Sequence, residues 1–259
     1  MKVALTVAGS DSGGGAGIQA DLRTFAAHRV HGASAISAIT AQNSMGVTAW
    51  TAVDPSMVVA QLEAVATDMP VAATKTGMLA TAAIVEAVAA AAARLRLAPL
   101  VVDPVMVAKS GDRLIDAAAE RAYVERLLPI ATLVTPNLHE AAALVRRPVR
   151  DVSEMREAAR ALVALGARAV LVKGGGLAGD AVDVFCDGER IVDLTVPRVD
   201  TPNVHGTGCT LSAAIAARLA LGDDLLEAVR GAKAYLSDAL RHSYAVGKGR
   251  GLPDHLHRS

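Results

Sequence analysis

Lys2-Val3-Ala4-Leu5-Thr6-Val7-Ala8 runs into Gly9-Ser10-Asp11-Ser12-Gly13-Gly14-Gly15, and then into Ala16-Gly17-Ile18-Gln19-Ala20-Asp21-Leu22-Arg23-Thr24-Phe25. The first block is short and continuously apolar, which predicts a buried central strand. The glycines predict a loop over residues 9–15. Ile18, Leu22 and Phe25 recur at helical spacing and predict a helix over 16–28.

Working outward, the same alternation repeats. Strands are expected near residues 32–40, 72–76, 100–103, 131–135 and 169–173, with a short flap strand at 47–53. Helices are expected near 55–69, 81–95, 116–128, 137–145, 153–165, 207–221 and 225–244. Pro55 suits the first turn of its helix. Asp187-Gly188 separates two strand-like runs, 181–186 and 190–196, as a hairpin turn does. The expectation is an α/β fold of three αβα layers: a mostly parallel sheet covered on both faces, with an antiparallel hairpin at one edge. No linker, repeat or charge block divides residues 1–259, which read as a single domain.

Composition narrows the function classes. Of 259 residues 52% are hydrophobic but only 2% aromatic, so Ala, Val and Leu must build the core. Lys plus Arg and Asp plus Glu both number 26. That balance gives no electrostatic footprint for nucleic acid or an anionic membrane. Cys186 and Cys209 make neither a disulfide framework nor a zinc cluster. The apolar start is too short for a signal peptide. Glu86, Arg94 and Arg96 interrupt the apolar segment at 82–98, which reads as a packed helix and not a membrane span. A reducing, cytoplasmic setting is expected.

In parallel sheets ligands bind beyond the carboxyl ends of the strands. Those ends carry Gly9-Ser10-Asp11, Gln42-Asn43, Gly77-Met78, Asp103, Asn137 and Lys173-Gly174-Gly175-Gly176. The glycine loop lacks the Gly-Lys-Ser/Thr ending of a Walker A loop and matches the dinucleotide pattern only in part. Asp21, on the helix after it, reads either as a site residue or as a solvated face residue. Gln42 carries donors and an acceptor together and can pair with a ring nitrogen and an exocyclic amine. Asn203-Val204-His205-Gly206-Thr207-Gly208-Cys209-Thr210 enters an alanine-rich helix. Unpartnered N–H groups and a positive dipole there make an anion site, with a helix cap as the plain alternative. Cys209 stands where a thiol pKa can be lowered. Asp103 and Glu140 are candidates for a magnesium network, which needs one or two carboxylates beside water and phosphate. Glu140 equally suits a capping role with Asn137 three residues before it. Lys173, at a strand end, can reach a transferring phosphate as a point charge. These parts compose a phosphotransferase.

The chain resembles the hydroxymethylpyrimidine and phosphomethylpyrimidine kinases of thiamine biosynthesis, within the ribokinase-like superfamily. The resemblance rests on residues 8–21, Thr40-Ala41-Gln42-Asn43, Lys75-Thr76-Gly77-Met78-Leu79, Val102-Asp103-Pro104-Val105-Met106, Thr135-Pro136-Asn137-Leu138-His139-Glu140, Val172-Lys173-Gly174-Gly175 and His205-Gly206-Thr207-Gly208-Cys209-Thr210. It implies ATP as co-substrate and Mg2+ held by Asp103 and Glu140. An aminopyrimidine would lie among Gly9, Asp21, Gln42, Met78 and Val105. Asn137 and Lys173 would meet the ATP phosphates, and Gly206, Thr207, Gly208 and Cys209 would form the anion hole. Cys209 would be catalytic, standing where sugar kinases of this fold carry an aspartate base. The monophosphate would be phosphorylated again in the same site, and the chain would form a homodimer. A pyridoxal kinase is the nearest rival, with a non-catalytic pyrimidine-binding protein the rival from another class. The two histidines of the tail, His255 and His257, are expected at the surface.

Overall fold

The computed structural model describes residues 1–106 and 117–257. Nine strands form one sheet: β1 (Val3–Asp11), β2 (His31–Asn43), β3 (Gly46–Ala52), β4 (Val71–Thr76), β5 (Leu100–Val102), β6 (Leu133–Val134), β7 (Val170–Lys173), β8 (Ala181–Cys186) and β9 (Ile191–Val196). Their order is β3-β2-β1-β4-β5-β6-β7-β8-β9. The strands from β2 to β7 are parallel. At one edge β3 pairs antiparallel with β2, and at the other the β8–β9 hairpin pairs antiparallel with β7.

Side-chain alternation makes the layers. Val3, Leu5 and Val7 point into one apolar cluster and Ala4 into a second, just as Val170 and Val172 oppose Leu171. The first cluster receives α2 (Pro55–Asp68), α3 (Ala82–Arg94), α4 (Ala117–Ala122), α5 (Leu138–Val145) and α6 (Val152–Ala164). The second receives α1 (Gly17–Ala27), α7 (Thr207–Leu221) and α8 (Leu225–Arg241). With almost no aromatics, this second layer is close-packed from alanine: Ala213, Ala214, Ala216 and Ala217 of α7 are fully buried. Small side chains let α7 press between α1, α8 and the ends of β1, β4 and β5.

Three expectations are adjusted. The loop foreseen at 9–15 starts later, because β1 continues to Asp11 through a register shift between Ala8 and Gly9. The helix foreseen at 116–128 is α4 followed by a π turn, Tyr123–Leu127, and a 3-10 turn, Leu128–Ile130. Its first residue, Asp116, lies outside the described residues. The last helix stops at Arg241, and Tyr244 instead pairs with Leu252 in an antiparallel bridge. Among the described residues no helix is long and apolar enough to cross a membrane.

Candidate active site

The carboxyl ends of β1, β4, β5, β6 and β7 converge on the first turn of α7. Five other helices, α2, α3, α5, α6 and α8, begin with an Asp, Thr or Asn side chain accepting a first-turn N–H. α7 begins at Gly206 with no side-chain cap. Its opening N–H groups, on Thr207, Gly208 and Cys209, therefore have no capping side chain to donate to, and that of Thr207 makes only a long, 3.5 Å contact with the Val204 carbonyl. Gly206 has φ +78°, and a Cβ there would lie 1.9 Å from the Gly15 carbonyl oxygen. Only glycine lets the α7 entry touch the loop after β1.

Lys173 and Asp103 stand against that turn. A Cβ at Gly208 would meet Lys173 Nζ at 3.4 Å and Asp103 Oδ2 at 3.7 Å. Lys173 Nζ donates to Asp103 Oδ1 at 2.8 Å. Thr135 and Ser212 hydroxyls also donate to the Asp103 carboxylate, at 3.3 and 3.1 Å. Burial works to raise the Asp103 carboxyl, but Lys173 and then Lys75 hold it below the usual carboxylate range. Glu140 follows at the start of α5 in a capping box: Asn137 N–H donates to Glu140 Oε2 at 2.7 Å, and Glu140 N–H to Asn137 Oδ1 at 3.0 Å. Burial lifts Glu140 to about 7; Lys173 opposes the rise and Asp103 adds to it. A bridge pairs Asn137 with Lys173. The anion-site, lysine and acid residues expected from sequence thus come together.

The expected ring contacts divide. Gly9 and Met78 adjoin, since a Cβ on Gly9 would lie 3.3 Å from Met78 Sδ. Val105 follows two residues after Asp103, half-buried against the first core cluster. Gln42 is next to last in β2, with its amide between Thr40 and His205. Asp21 does not line a ligand surface. It is wholly buried, takes the Thr6 hydroxyl at 2.6 Å, and binds Lys75 Nζ through both oxygens at 3.0 and 2.8 Å. Burial would depress Lys75, but Asp21, then Cys209 and Asp103, hold its ammonium above the ordinary lysine range. The helix position that suggested a site residue in fact faces β1 and β4.

Cys209 also departs from expectation. Although part of the residue stays open to solvent, the protein packed around the thiol pushes it up to about 11. Lys75 and the Gly17 N–H pull the other way and do not prevail, and Asp21 and Asp103 add to the rise. At neutral pH the thiol is therefore protonated in the free protein.

Several residues that the sequence placed in motifs without a role turn out to build the site. Asp11 takes N–H donors from Gly13, Gly15 and Ala16 at 2.8, 3.0 and 2.8 Å and binds His205 Nε2 at 3.0 Å. Its one signal was an Asx turn, an acid two residues before a glycine run. Lys75 stood in the sequence only as part of the Lys75-Thr76-Gly77-Met78-Leu79 motif, with no role given to it. The tail is a strap and not a loose end. His205 N–H donates to the Gly251 carbonyl at 3.1 Å. His255, only 3% exposed, shares a 3.0 Å hydrogen bond with Thr210 Oγ1 in the first turn of α7. That overturns the surface placement of His255, while half-buried His257 stacks on His242.

With this geometry in view, the profile of the phosphomethylpyrimidine kinase family matches residues 11–254. The chain belongs to this family. It is 53% identical over 260 residues to the hydroxymethylpyrimidine/phosphomethylpyrimidine kinase of Rhizobium meliloti, covering 99% of this chain and 97% of that one. The enzyme of the same name from Synechococcus elongatus is 51% identical over 259 residues, with 99% and 98% covered. Among solved structures, an ADP complex of Bacillus subtilis pyridoxal kinase superposes with a TM-score of 0.92 at 41% identity, covering 98% of this chain and 97% of that one. As a member of the family the chain is a phosphotransferase with the ribokinase-like fold.

Proposed function

We propose that the chain uses ATP and Mg2+ to phosphorylate the hydroxymethyl group of 4-amino-5-hydroxymethyl-2-methylpyrimidine, and then the resulting monophosphate to the diphosphate. The observation that carries this reading is the approach of Lys173 and Asp103 to the uncapped first turn of α7, within a family of phosphomethylpyrimidine kinases. Phosphoryl transfer proceeds through a loose transition state, so it needs positioning and charge neutralisation more than covalent chemistry.

The substrate hydroxyl oxygen forms a bond to the γ-phosphorus while the bond from that phosphorus to the β–γ bridging oxygen breaks, releasing ADP. Thr207, Gly208 and Cys209 donate to the transferring oxygens from the Gly206 turn, and Lys173, with Asn137 beside it, balances their charge. Because bond formation lags, the hydroxyl proton leaves late, passing to an oxygen of the transferred phosphoryl group, and no thiolate is required to take it first. Cys209 is then a catalytic residue that touches the transferring group as a protonated thiol. Gln42 meets the ring edge, with Gly9, Met78 and Val105 forming the walls. Asp21 acts from beneath, through Lys75.

The residues fit a magnesium ion. Asp103 and Glu140 are buried oxygen donors, and each raises the cost of charging the other, a cost that a divalent cation relieves. The ion would supply charge neutralisation to the phosphates, held in part through water. Cytoplasmic action is supported by the two free cysteines. A homodimer is supported by the exposed apolar side chains Ile39, Met45 and Trp50 at the β2–β3 edge. Residues 1–259 are read as one kinase unit.

Product analysis tests the function. The protein is incubated with ATP, Mg2+ and the hydroxymethylpyrimidine, with pyridoxal in a parallel reaction. Monophosphate followed by diphosphate is expected from the pyrimidine. Efficient pyridoxal turnover with little pyrimidine product would move the chain to the pyridoxal kinase reading, for which the 41% identity to the Bacillus subtilis enzyme gives weaker support than the 51–53% identity to pyrimidine kinases gives the first. No product from either would return it to the binding-protein reading.

A further inference from the structure

Arg198 lies just past β9, on the segment that leads to the Gly206 turn, yet its side chain engages a different loop. Although the residue is exposed, its guanidinium donates to three backbone carbonyls of the β7–β8 connection: Nε to Gly179 at 2.6 Å, Nη1 to Gly175 at 2.9 Å and Nη2 to Leu177 at 2.6 Å. A longer contact, at 3.5 Å, joins Nη2 to the Asp180 carbonyl. A guanidinium suits this work, because its N–H groups point in fixed directions from one plane.

The loop needs such a brace. Gly174, Gly175, Gly176 and Gly179 fall within it, and glycine has the most backbone freedom to lose on ordering. Its start is pinned from below: Gly174 N–H donates to Asp183 Oδ1 of β8 at 2.9 Å, and Lys233 Nζ of α8 donates to the other carboxylate oxygen at 2.5 Å. Leu177 N–H closes one turn onto the Gly174 carbonyl at 3.0 Å. Arg198 holds the remainder.

Sheet order shows what this loop borders. The residues assigned to the pyrimidine include Gly9 on β1, Gln42 on β2 and Met78 just past β4. Asp103 follows β5 and Lys173 ends β7, and the strands run β2-β1-β4-β5-β6-β7-β8. The attacking and leaving oxygens stand roughly in line across the transferred phosphorus. With the acceptor on the β2–β4 side, the leaving group departs toward β7 and β8, where residues 174–180 stand. A Cβ built on Gly175 or Gly179 would meet nothing within 4 Å, so bare backbone faces open space there.

We propose that Arg198 is a positioning residue for the nucleotide, holding residues 174–180 in the shape that seats the nucleoside diphosphate part of ATP. The proposal rests on the reading that the chain transfers phosphate from ATP. Arg198 touches no reacting atom. It orders the loop before the nucleotide arrives and so removes an entropic cost from binding. The loop contact is the same in the ground state and the transition state, so its loss acts on KM and not on kcat.

The test is calorimetric titration of ADP with Mg2+ into the wild type, Arg198→Gln and Arg198→Lys without acceptor, beside steady-state kinetics. Arg198→Gln should raise the Kd for ADP and the KM for ATP at least roughly tenfold, the effect of losing order at one or two loop residues. Its kcat and its KM for the aminopyrimidine should stay within about threefold of wild type. Arg198→Lys should be nearly as weak, since a point charge does not replace the fork. Full recovery by lysine would make charge and not the brace the cause, and overturns the proposal. So does an unchanged Kd for ADP in both variants, or an equal loss for both substrates with a lowered unfolding midpoint, which is what a merely structural role gives. Should Arg198→Gln fail to fold, Arg198→Lys against wild type carries the same comparison of Kd. A wild type that binds ADP but leaves the pyrimidine unphosphorylated removes the substrate reading alone, and the Kd values still decide the role of Arg198. A wild type that does not bind ADP overturns both.

Discussion

Replacing Lys75 by Met should be among the most damaging single changes outside the anion-binding turn. Lys75 and Asp21 are both 0% exposed, and the ammonium reaches both carboxylate oxygens at 3.0 and 2.8 Å. Methionine fills similar volume but leaves Asp21, whose carboxyl burial already raises, without its counter-charge and held only by the Thr6 hydroxyl at 2.6 Å, so folding must either bury the charge or protonate it. Breaking a buried ion pair on one side costs ~3–5 kcal/mol. At this chain length that is a fall of roughly 10 °C in the unfolding midpoint. The same reasoning demands a rescue. With Asp21→Leu added, no orphaned charge is left, and the double variant should return to within ~1–2 kcal/mol of wild type. Urea denaturation followed by circular dichroism measures the wild type, Lys75→Met, Asp21→Leu and the double variant. Because Asp21 presents no surface to a ligand, the double variant should also keep its KM for the aminopyrimidine within about threefold, well under the ~1.4 kcal/mol of a tenfold change. A loss below ~1 kcal/mol in Lys75→Met, or a double variant no better than the single, would refute the argument that charge isolation governs this site.

Gly206→Ala should lower kcat by roughly a hundredfold, since its Cβ would lie 1.9 Å from the Gly15 oxygen and must push the α7 entry away by about an ångström; steady-state kinetics against a circular-dichroism control for folding checks it. Cys209, with its thiol at about 11 and not 9.0, should be alkylated by iodoacetamide at pH 8 about a hundredfold more slowly than an unperturbed thiol, following its thiolate fraction. Rapid modification at pH 8 would return Cys209 to the role of a base. His255 is pushed down to about 4, chiefly by burial. Its pKa is thus lower folded than unfolded, so the stability it contributes is full above about pH 6.5 and is lost as pH falls through 4, by up to about 3 kcal/mol. His255→Gln should flatten that part of the pH profile of unfolding, as denaturation at several pH values would reveal.

The strand–glycine–helix alternation was legible in the sequence because buried parallel strands are short apolar runs and their covering helices carry an apolar stripe, both local signals. The hairpin at Asp187-Gly188 and the capping box at Asn137 and Glu140 were legible for the same reason. The motif residues at the strand ends were legible as candidates, since glycine, amide and charge are out of place in buried strands. Only the tertiary structure decided what each candidate faces. Asp21 and Lys75 lie 54 residues apart and meet because β1 and β4 are neighbours under α1, which turns an apparent ligand contact into a buried pair. The thiol of Cys209 rises and does not fall because its environment is the sum of packing from several elements, which no local pattern encodes. His255, apparently loose in the tail, caps the approach to α7 because residues 243–257 fold back over the site. Periodicity and local composition determine elements and candidate chemistry; burial, charge neighbours and the choice between reading a ligand and holding a scaffold depend on contacts that only the folded chain makes.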